Sequence, residues 1–121
     1  MLETLGDWPR ALASYLQAYA LRPARAESLW ACAVHYRVSR EWGPAELFAR
    51  AAAAIPHPDD TLFVDDSVYA WRALDELAIA TYYVGKRAES RALNERLLAE
   101  GHVPAGDRPR IVENLSFSKD A

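Results

Sequence analysis

The chain has 121 residues, of which 51% are hydrophobic and 26% charged, and its formal net charge is -3. This composition is typical of one folded domain and argues against a disordered chain. Because phosphate binding needs clustered excess Lys and Arg, the negative charge argues against nucleic acid or an anionic membrane surface as a partner.

The cysteine content and the hydropathy both favour a cytoplasmic protein. Cys32 has no second cysteine with which to form an internal disulfide, so a reducing compartment is expected. No apolar run approaches the roughly 18 residues that a membrane span needs, and the N-terminus lacks the features of a signal peptide.

The first predicted helix covers residues 8–21. Asp7 can cap its N-terminus, and Pro9 fits the first turn because the N–H that proline lacks has no helical partner there. Only Leu2 and Leu5 represent a preceding helix. One apolar flank of the first helix is therefore expected to be uncovered, as in a truncated chain or a dimer.

A complete helical hairpin is predicted over residues 24–56, with helices at 26–39 and 44–55. Glu41 and Gly43 lie in the turn between the two helices, and Pro56 ends the second. Small or apolar side chains recur at helical spacing on the facing sides of both helices, which allows their backbones to approach closely. These side chains are Leu29, Cys32, Ala33, Tyr36, Ala45, Ala49 and Ala52.

The second helix of this hairpin has a copy upstream at a constant offset of 34 residues. The aligned pairs are Trp8 with Trp42, Ala11 with Ala45, Ala18 with Ala52 and Leu21 with Ile55. This offset is the length of a tetratricopeptide repeat, which consists of two antiparallel helices.

An acidic inserted loop at residues 57–67 interrupts this spacing, and the next repeat aligns at an offset of 45 residues, Cys32 with Leu77 and Ala33 with Ala78. A short turn is expected at residues 62–64 of the loop. Asp65, Asp66 or Ser67 is expected to cap the helix that follows. The four loop aspartates Asp59, Asp60, Asp65 and Asp66 are the chain's nearest approach to a metal site, but their spacing does not fit an EF-hand.

The third repeat is predicted over residues 68–101, as helices at 68–84 and 87–100. Gly85 breaks the first of these helices and Gly101 closes the second. The apolar stripe of the first helix consists of Trp71, Leu74, Leu77, Ala78 and Thr81.

The last segment, residues 102–121, is predicted to be a capping helix with a frayed tail at 118–121. Asp107 can cap this helix, which is expected to lay Ile111, Leu115 and Phe117 over the last repeat as a lid. The predicted fold is therefore all-α, a fragment of a tetratricopeptide-like α-solenoid of about six helices in antiparallel hairpins. Residues 1–23 form a half repeat in this scheme.

Several stretches of the sequence resemble a known family. They are YLQAYALRPARAE, LFARAAAAIPHPDDTLFVD, VYAWRALDELAIATYYVGKRAES and VENLSF, and the insertion IPHPDDTLFVD is the most specific. The chain resembles the tetratricopeptide regions attached to bacterial glycosyltransferases of the inverting, sugar-nucleotide-using GT-A kind. The resemblance implies an accessory or scaffolding region, with sugar transfer in a separate domain. The chain departs from the pattern at Ala49, where a bulky residue is usual.

No residues in the sequence form a recognisable catalytic, cofactor or metal site. His35, His57 and His102 are too far apart in sequence to suggest zinc, and Cys32 lies on an apolar stripe, as a buried small hydrophobic residue does. Phosphate loops and nucleophile motifs are also missing from the sequence. We therefore expect no enzymatic activity from this chain; a small metal-dependent enzyme using the aspartate loop is the weaker alternative.

The predicted functional surface is a groove lined by the first helices of successive hairpins. Residues one turn apart on these helices point to the same side, and they combine aromatic anchors with both charges, which suits an extended peptide or a partner helix. The predicted groove residues are Glu27, Trp30, Val34, Arg37, Arg72, Asp75, Ile79 and Tyr82. The alternative is that Trp30 and Tyr82 only pack against neighbouring helices.

The predicted function is a non-catalytic protein- or peptide-binding scaffold associated with a bacterial glycosyltransferase. The alternative is an integral accessory region of such an enzyme that aids acceptor recognition or dimerisation. A homodimer through the uncovered N-terminal helix is also predicted.

Overall fold

A computed structural model describes residues 7–59 and 64–119, and within these ranges the chain is helical without strands. The six α-helices are α1 (Trp8–Leu21), α2 (Glu27–Val38), α3 (Trp42–Ala53), α4 (Ala73–Tyr83), α5 (Arg87–Glu100) and α6 (Arg108–Lys119). The all-α prediction is confirmed. The predictions for Leu2, Leu5, Asp60 and residues 62–63, 120 and 121 fall outside the described residues.

The helix bounds agree with the sequence analysis for α1 and α5, whereas α3 begins two residues earlier than expected, at Trp42. Gly43 and Pro44 therefore lie inside the first turn of α3 rather than before it. A proline is tolerated there because the first N–H groups of a helix have no partner within it.

A π-helical turn, Val68–Arg72, leads directly into α4, where the sequence predicted a regular helix. Ser67 stands at the N-cap position of this segment without a side-chain capping bond, and the Oδ1 of Asp65 accepts hydrogen bonds from the amide of Ser67 at 3.1 Å and from its hydroxyl at 2.6 Å. A π-helical turn has wider hydrogen-bonded rings than an α-helix, and such turns are frequent at functional sites.

Each helix packs against the next in the chain, and α2 also contacts α4. Ala33, Ala45 and Ala78, which were predicted to let helix backbones approach closely, are all buried. The π-helical turn and α4 contribute to the core on two sides: Trp71 and Leu74 pack with α5 and α6, and Leu77 packs with α2 and α3.

The turns after α2 and α4 have the same hydrogen bonds at the predicted offset of 45 residues. The amide of Glu41 donates to the carbonyl of Tyr36 at 2.8 Å, and the amide of Lys86 donates to the carbonyl of Thr81 at 2.8 Å. Both bonds close the end of a helix in the manner of a Schellman motif. The two hairpins α2–α3 and α4–α5 therefore share their turn geometry.

Two tryptophans that align in the sequence also make similar contacts. Trp8 begins α1 and stacks on His35 of α2, with ring centroids 3.5 Å apart, and Trp42 begins α3 and stacks on Tyr83 of α4 at 4.0 Å. Each stack joins the start of one helix to the end of the next.

The capping helix α6 packs against α5 and buries Ile111 completely. Leu115 is half-buried, but Phe117 is 48% exposed. The predicted lid is therefore correct for Ile111 and wrong for Phe117, because the end of α6 leaves this side chain at the surface. In the part of the chain that the structure describes, no helix has the length and apolar character of a membrane span.

Candidate binding groove

A cavity of about 360 Å³ lies between α2 and α4 and is bounded by α6. Its lining includes every predicted groove residue except Glu27 and Tyr82, namely Trp30, Val34, Arg37, Arg72, Asp75 and Ile79. These residues recur three or four positions apart on each helix, so they share one face of it. We call this cavity the groove.

The structure places the two remaining predicted residues outside the groove. Glu27 accepts a hydrogen bond from the Tyr69 hydroxyl and pairs with Arg25 at 3.6 Å. Tyr82 lies in a neighbouring cavity, and the guanidinium of Arg87 stands 4.8 Å from the centre of its ring.

One wall of the groove is an arginine packed between two indole rings. The Arg72 guanidinium carbon lies 4.8 Å from the centre of the Trp71 ring and 6.0 Å from that of Trp30. Its Nε donates to the Ser67 hydroxyl at 2.9 Å, a bond that spans the π-helical turn. These contacts hold the guanidinium in a fixed place beside the cavity.

The indole N–H of Trp30 is buried and has no hydrogen-bond acceptor among the described residues. A buried donor without a partner costs free energy that an acceptor from a bound molecule can recover. Trp30 therefore offers the groove both an aromatic surface and an unused hydrogen bond.

Two ion pairs cross the groove and involve Arg37 and Asp75, the residues predicted to bind a partner's charges. The Arg37 Nε donates to Glu76 Oε2 at 2.7 Å, and Arg110 from α6 holds Asp75 with two bonds of 3.1 and 2.7 Å. Both acidic residues are buried. The charges thus fix the positions of α2, α4 and α6 relative to one another.

The pKa values of these groups follow from burial and pairing. Burial raises the pKa of Glu76, and the hydrogen bond from Arg37 only partly opposes it. The hydrogen bond to Asp75 raises the pKa of Arg110. Burial therefore disfavours the charged form of Glu76 even though its carboxylate is paired with Arg37.

Four residues that line the groove were not predicted from the sequence as groove residues, namely Trp71, Glu76, Asp107 and Arg110. Glu76 could have been found, since it stands beside Asp75 near the predicted apolar stripe. No pattern within a single sequence indicates that Arg110, on the last helix, reaches α4.

A larger cavity of about 590 Å³ adjoins the groove. The two share Arg37, Ile79 and Arg110, and the larger one extends to the end of α2, the start of α3 and the inner faces of α5 and α6. We call it the end cavity. It also contains Tyr82, so all the predicted groove residues except Glu27 line one of two adjoining cavities.

The other candidates from the sequence have structural contacts. Asp66 accepts a hydrogen bond from His57 at 2.6 Å, an interaction that raises the pKa of the imidazole. Cys32 is fully buried. Among the described residues, no group of three His, Cys, Asp or Glu side chains is placed to hold a metal ion.

Comparison of the chain with protein-family models, with curated proteins and with solved structures gives no match. The resemblance to glycosyltransferase-associated tetratricopeptide regions therefore stays a prediction from the sequence.

Proposed function

We propose that this chain is a non-catalytic, tetratricopeptide-like module that binds an extended peptide or a helix of a partner protein in the groove between α2 and α4. The observation that carries the proposal is the groove lining, in which two helices bring Trp30, Arg72 and Ile79 around one cavity. Partly buried aromatic and arginine side chains are the usual anchors of protein interfaces.

The tetratricopeptide assignment is supported by the shared geometry of the two turns and by the equivalent stacks of Trp8 and Trp42. These features are expected of repeated helical hairpins, each of which packs on the next. A stacked pair of hairpins offers its partner the side lined by first helices, which are α2 and α4 here.

A binding role also fits the state of the charged groups in the groove. Asp75 and Glu76 are each engaged by an arginine, so they are suited to holding helices in place rather than to transferring protons. The proposed location of such a module is the cytoplasm, and the association with a bacterial glycosyltransferase rests on the sequence resemblance. The adjacent reading frame, or the sequence upstream of Met1, distinguishes a separate partner from an accessory region by whether it encodes a nucleotide-sugar domain.

Selection from a displayed library of random peptides tests the groove directly. The immobilised chain is used to select binders, and their affinities are then measured for the wild type and for the double variant Trp30→Ala, Arg72→Ala. We expect the double variant to lose at least about tenfold in affinity, because it removes the aromatic wall and its cation.

A matched control changes an exposed arginine elsewhere. Arg10 lies on α1 and pairs with Asp7 at the surface, so Arg10→Ala should leave peptide affinity unchanged. Circular dichroism must show that all variants keep the wild-type helix content. Equal affinity of the wild type and a folded groove variant contradicts the proposal.

A further inference from the structure

The end cavity has a basic lining, in contrast to the acidic chain as a whole. Its charged residues are Arg37, Arg40 and Arg110, and no Asp or Glu of the described residues lines it. Arg37 and Arg110 are each paired with a buried carboxylate of α4. No ion pair or side-chain hydrogen bond joins the Arg40 guanidinium to another described residue, so it is available to an anionic group.

Arg40 occupies a backbone conformation that usually requires glycine. Its φ is 59°, and Gly85 has a φ of 93° at the equivalent position of the next hairpin turn. A side chain in this region brings Cβ close to the backbone, and residues held in it are common where the side chain has a function. Because Arg40 lies beside the end cavity, its side chain is placed to contact a molecule bound there.

A buried amide without a partner also lines the end cavity. Asn94 of α5 is 1% exposed, and its Oδ1 accepts no hydrogen bond from the described residues. The neighbouring Ser90 is already satisfied, because its hydroxyl donates to the carbonyl of Ala78 at 2.7 Å. Buried acceptors in folded proteins nearly always have a donor, so Asn94 points to one supplied by a ligand.

Large apolar side chains lie exposed in the lining of the same cavity. Val38, Tyr83 and Phe117 are 69%, 56% and 48% exposed, and they come from α2, α4 and α6. Exposed apolar side chains gathered beside a cavity are typical of a surface that a partner covers. The occupant therefore needs apolar side chains as well as a negative charge and an N–H donor.

We propose that the end cavity binds an extended acidic peptide segment of a partner protein, whose carboxylate pairs with Arg40, whose backbone N–H donates to Asn94 and whose apolar side chain covers Tyr83 and Phe117. This inference rests on the proposed function, since a peptide leaving the groove past Arg37 and Arg110 enters the end cavity. It adds a charge preference and two anchoring residues that the groove does not supply.

Synthetic peptides test the charge preference. Short peptides with a central Glu-Phe or Asp-Leu pair are compared with the same peptides carrying Gln or Asn instead, and binding is measured by fluorescence anisotropy. We expect the acidic peptides to bind at least about tenfold more tightly, with the difference reduced at high salt. Equal binding of the acidic and amide peptides overturns the proposal, as does displacement of the acidic peptides by inorganic phosphate at the same concentration.

Arg40→Gly is the matched variant, because it removes the guanidinium and keeps a residue suited to the positive φ. It should abolish the preference for acidic peptides, whereas Arg10→Ala should preserve it. Asn94→Leu should weaken the binding of acidic and amide peptides equally, since it removes the acceptor for the backbone N–H of the peptide. If Arg40→Gly leaves the preference intact while Trp30→Ala, Arg72→Ala abolishes selected-peptide binding, the groove function stands and the end-cavity assignment fails.

Discussion

Arg40 and Gly85 occupy the same position in two successive hairpin turns, 45 residues apart, and both have a positive φ. The amide of Arg40 donates to Arg37 at 3.0 Å, and the amide of Gly85 donates to Tyr82 at 3.2 Å. Only the second turn has the residue that adopts this conformation without a steric cost. The first turn retains a charged side chain at the mouth of the end cavity.

Arg40→Gly is predicted to stabilise the protein by about 1 kcal/mol, because glycine relieves the contact between Cβ and the backbone. Gly85→Ala should destabilise it by about the same amount. A Cβ at Gly85 meets no atom within 4 Å, so the cost arises from the backbone alone. Urea unfolding followed by circular dichroism measures both, and a loss of stability in Arg40→Gly contradicts the steric argument.

Glu76→Gln is predicted to change how stability depends on pH. Burial raises the pKa of Glu76 above its ordinary value of 4.5, so the folded protein binds more protons than the unfolded chain between 4.5 and the raised value. The stability that Glu76 contributes in this way is fully present below pH 4.5 and is lost as the pH rises from 4.5 to the raised pKa. The free energy of unfolding of the wild type minus that of the variant should therefore decrease from acidic to neutral pH.

Glu89→Gln provides a control of opposite sign. The hydrogen bond from Arg50 lowers the pKa of Glu89, so the stability it contributes is present above 4.5 and is lost as pH falls through the lowered value. The free energy of unfolding of the wild type minus that of Glu89→Gln should therefore increase with pH. Urea titrations at several pH values measure both differences, and slopes of the same sign for the two variants refute this interpretation.

Arg110→Met is predicted to cost about 2 kcal/mol of stability, because it leaves the buried carboxylate of Asp75 without its two hydrogen bonds. The double variant with Asp75→Asn should cost less than the two single changes together, since no buried charge remains. Chemical denaturation of the four proteins gives the coupling free energy.

Arg96→Met is the control for this cycle. Arg96 pairs with Glu100 at 3.0 Å on the exposed side of α5, so its loss should cost under about 0.5 kcal/mol. A cost for Arg110→Met no greater than for Arg96→Met shows that α6 is not held to α4 by this pair.

Local sequence signals were sufficient to predict the all-α class and most of the helices in the described residues. Spaced small side chains, Pro9, Gly85 and Gly101 identified α1 and the bounds of α5, because each of these acts through the backbone of its own helix. The π-helical turn before α4 was not predictable in this way. Its wider ring places Trp71 in the core and Arg72 beside it, an outcome of packing rather than of propensity.

In the candidate site too, the features that depend on local helical spacing were predictable and those that depend on packing were not. Helical spacing predicted that Trp30, Val34 and Arg37 share a face, and the structure agrees. The pairing of Arg110 with Asp75 joins residues 35 positions apart and depends on where α6 packs. The positive φ of Arg40 was accessible from the repeat alignment, since Arg40 aligns with Gly85 at the turn.

Among the residues that the structure describes, part of α1 is more exposed than the aligned part of α3. Ala52 of α3 is buried, whereas Ala18, which aligns with it, is exposed, as are Leu16 at 40% and Leu21 at 77%. A second copy of the chain can bury the face that carries Ala18 and Leu21, because complete burial of a leucine side chain contributes roughly 1.5–3 kcal/mol. Ala18 and Leu21 are three positions apart and share one face of α1, so this face favours pairing of α1 with α1, whereas Leu16 lies on a different side of the helix.

Ala18→Glu combined with Leu21→Glu is predicted to abolish concentration-dependent self-association, since two carboxylates brought into such an interface repel and lose hydration. Light scattering coupled to gel filtration should show the wild-type mass rising with concentration and the variant remaining monomeric. Leu47→Glu on α3 is the matched control, because Leu47 is also exposed but lies on another helix. The Leu47→Glu variant should self-associate as the wild type does. A wild type that stays monomeric at high concentration refutes the α1 interface, and a Leu47→Glu variant that also becomes monomeric moves the interface to α3.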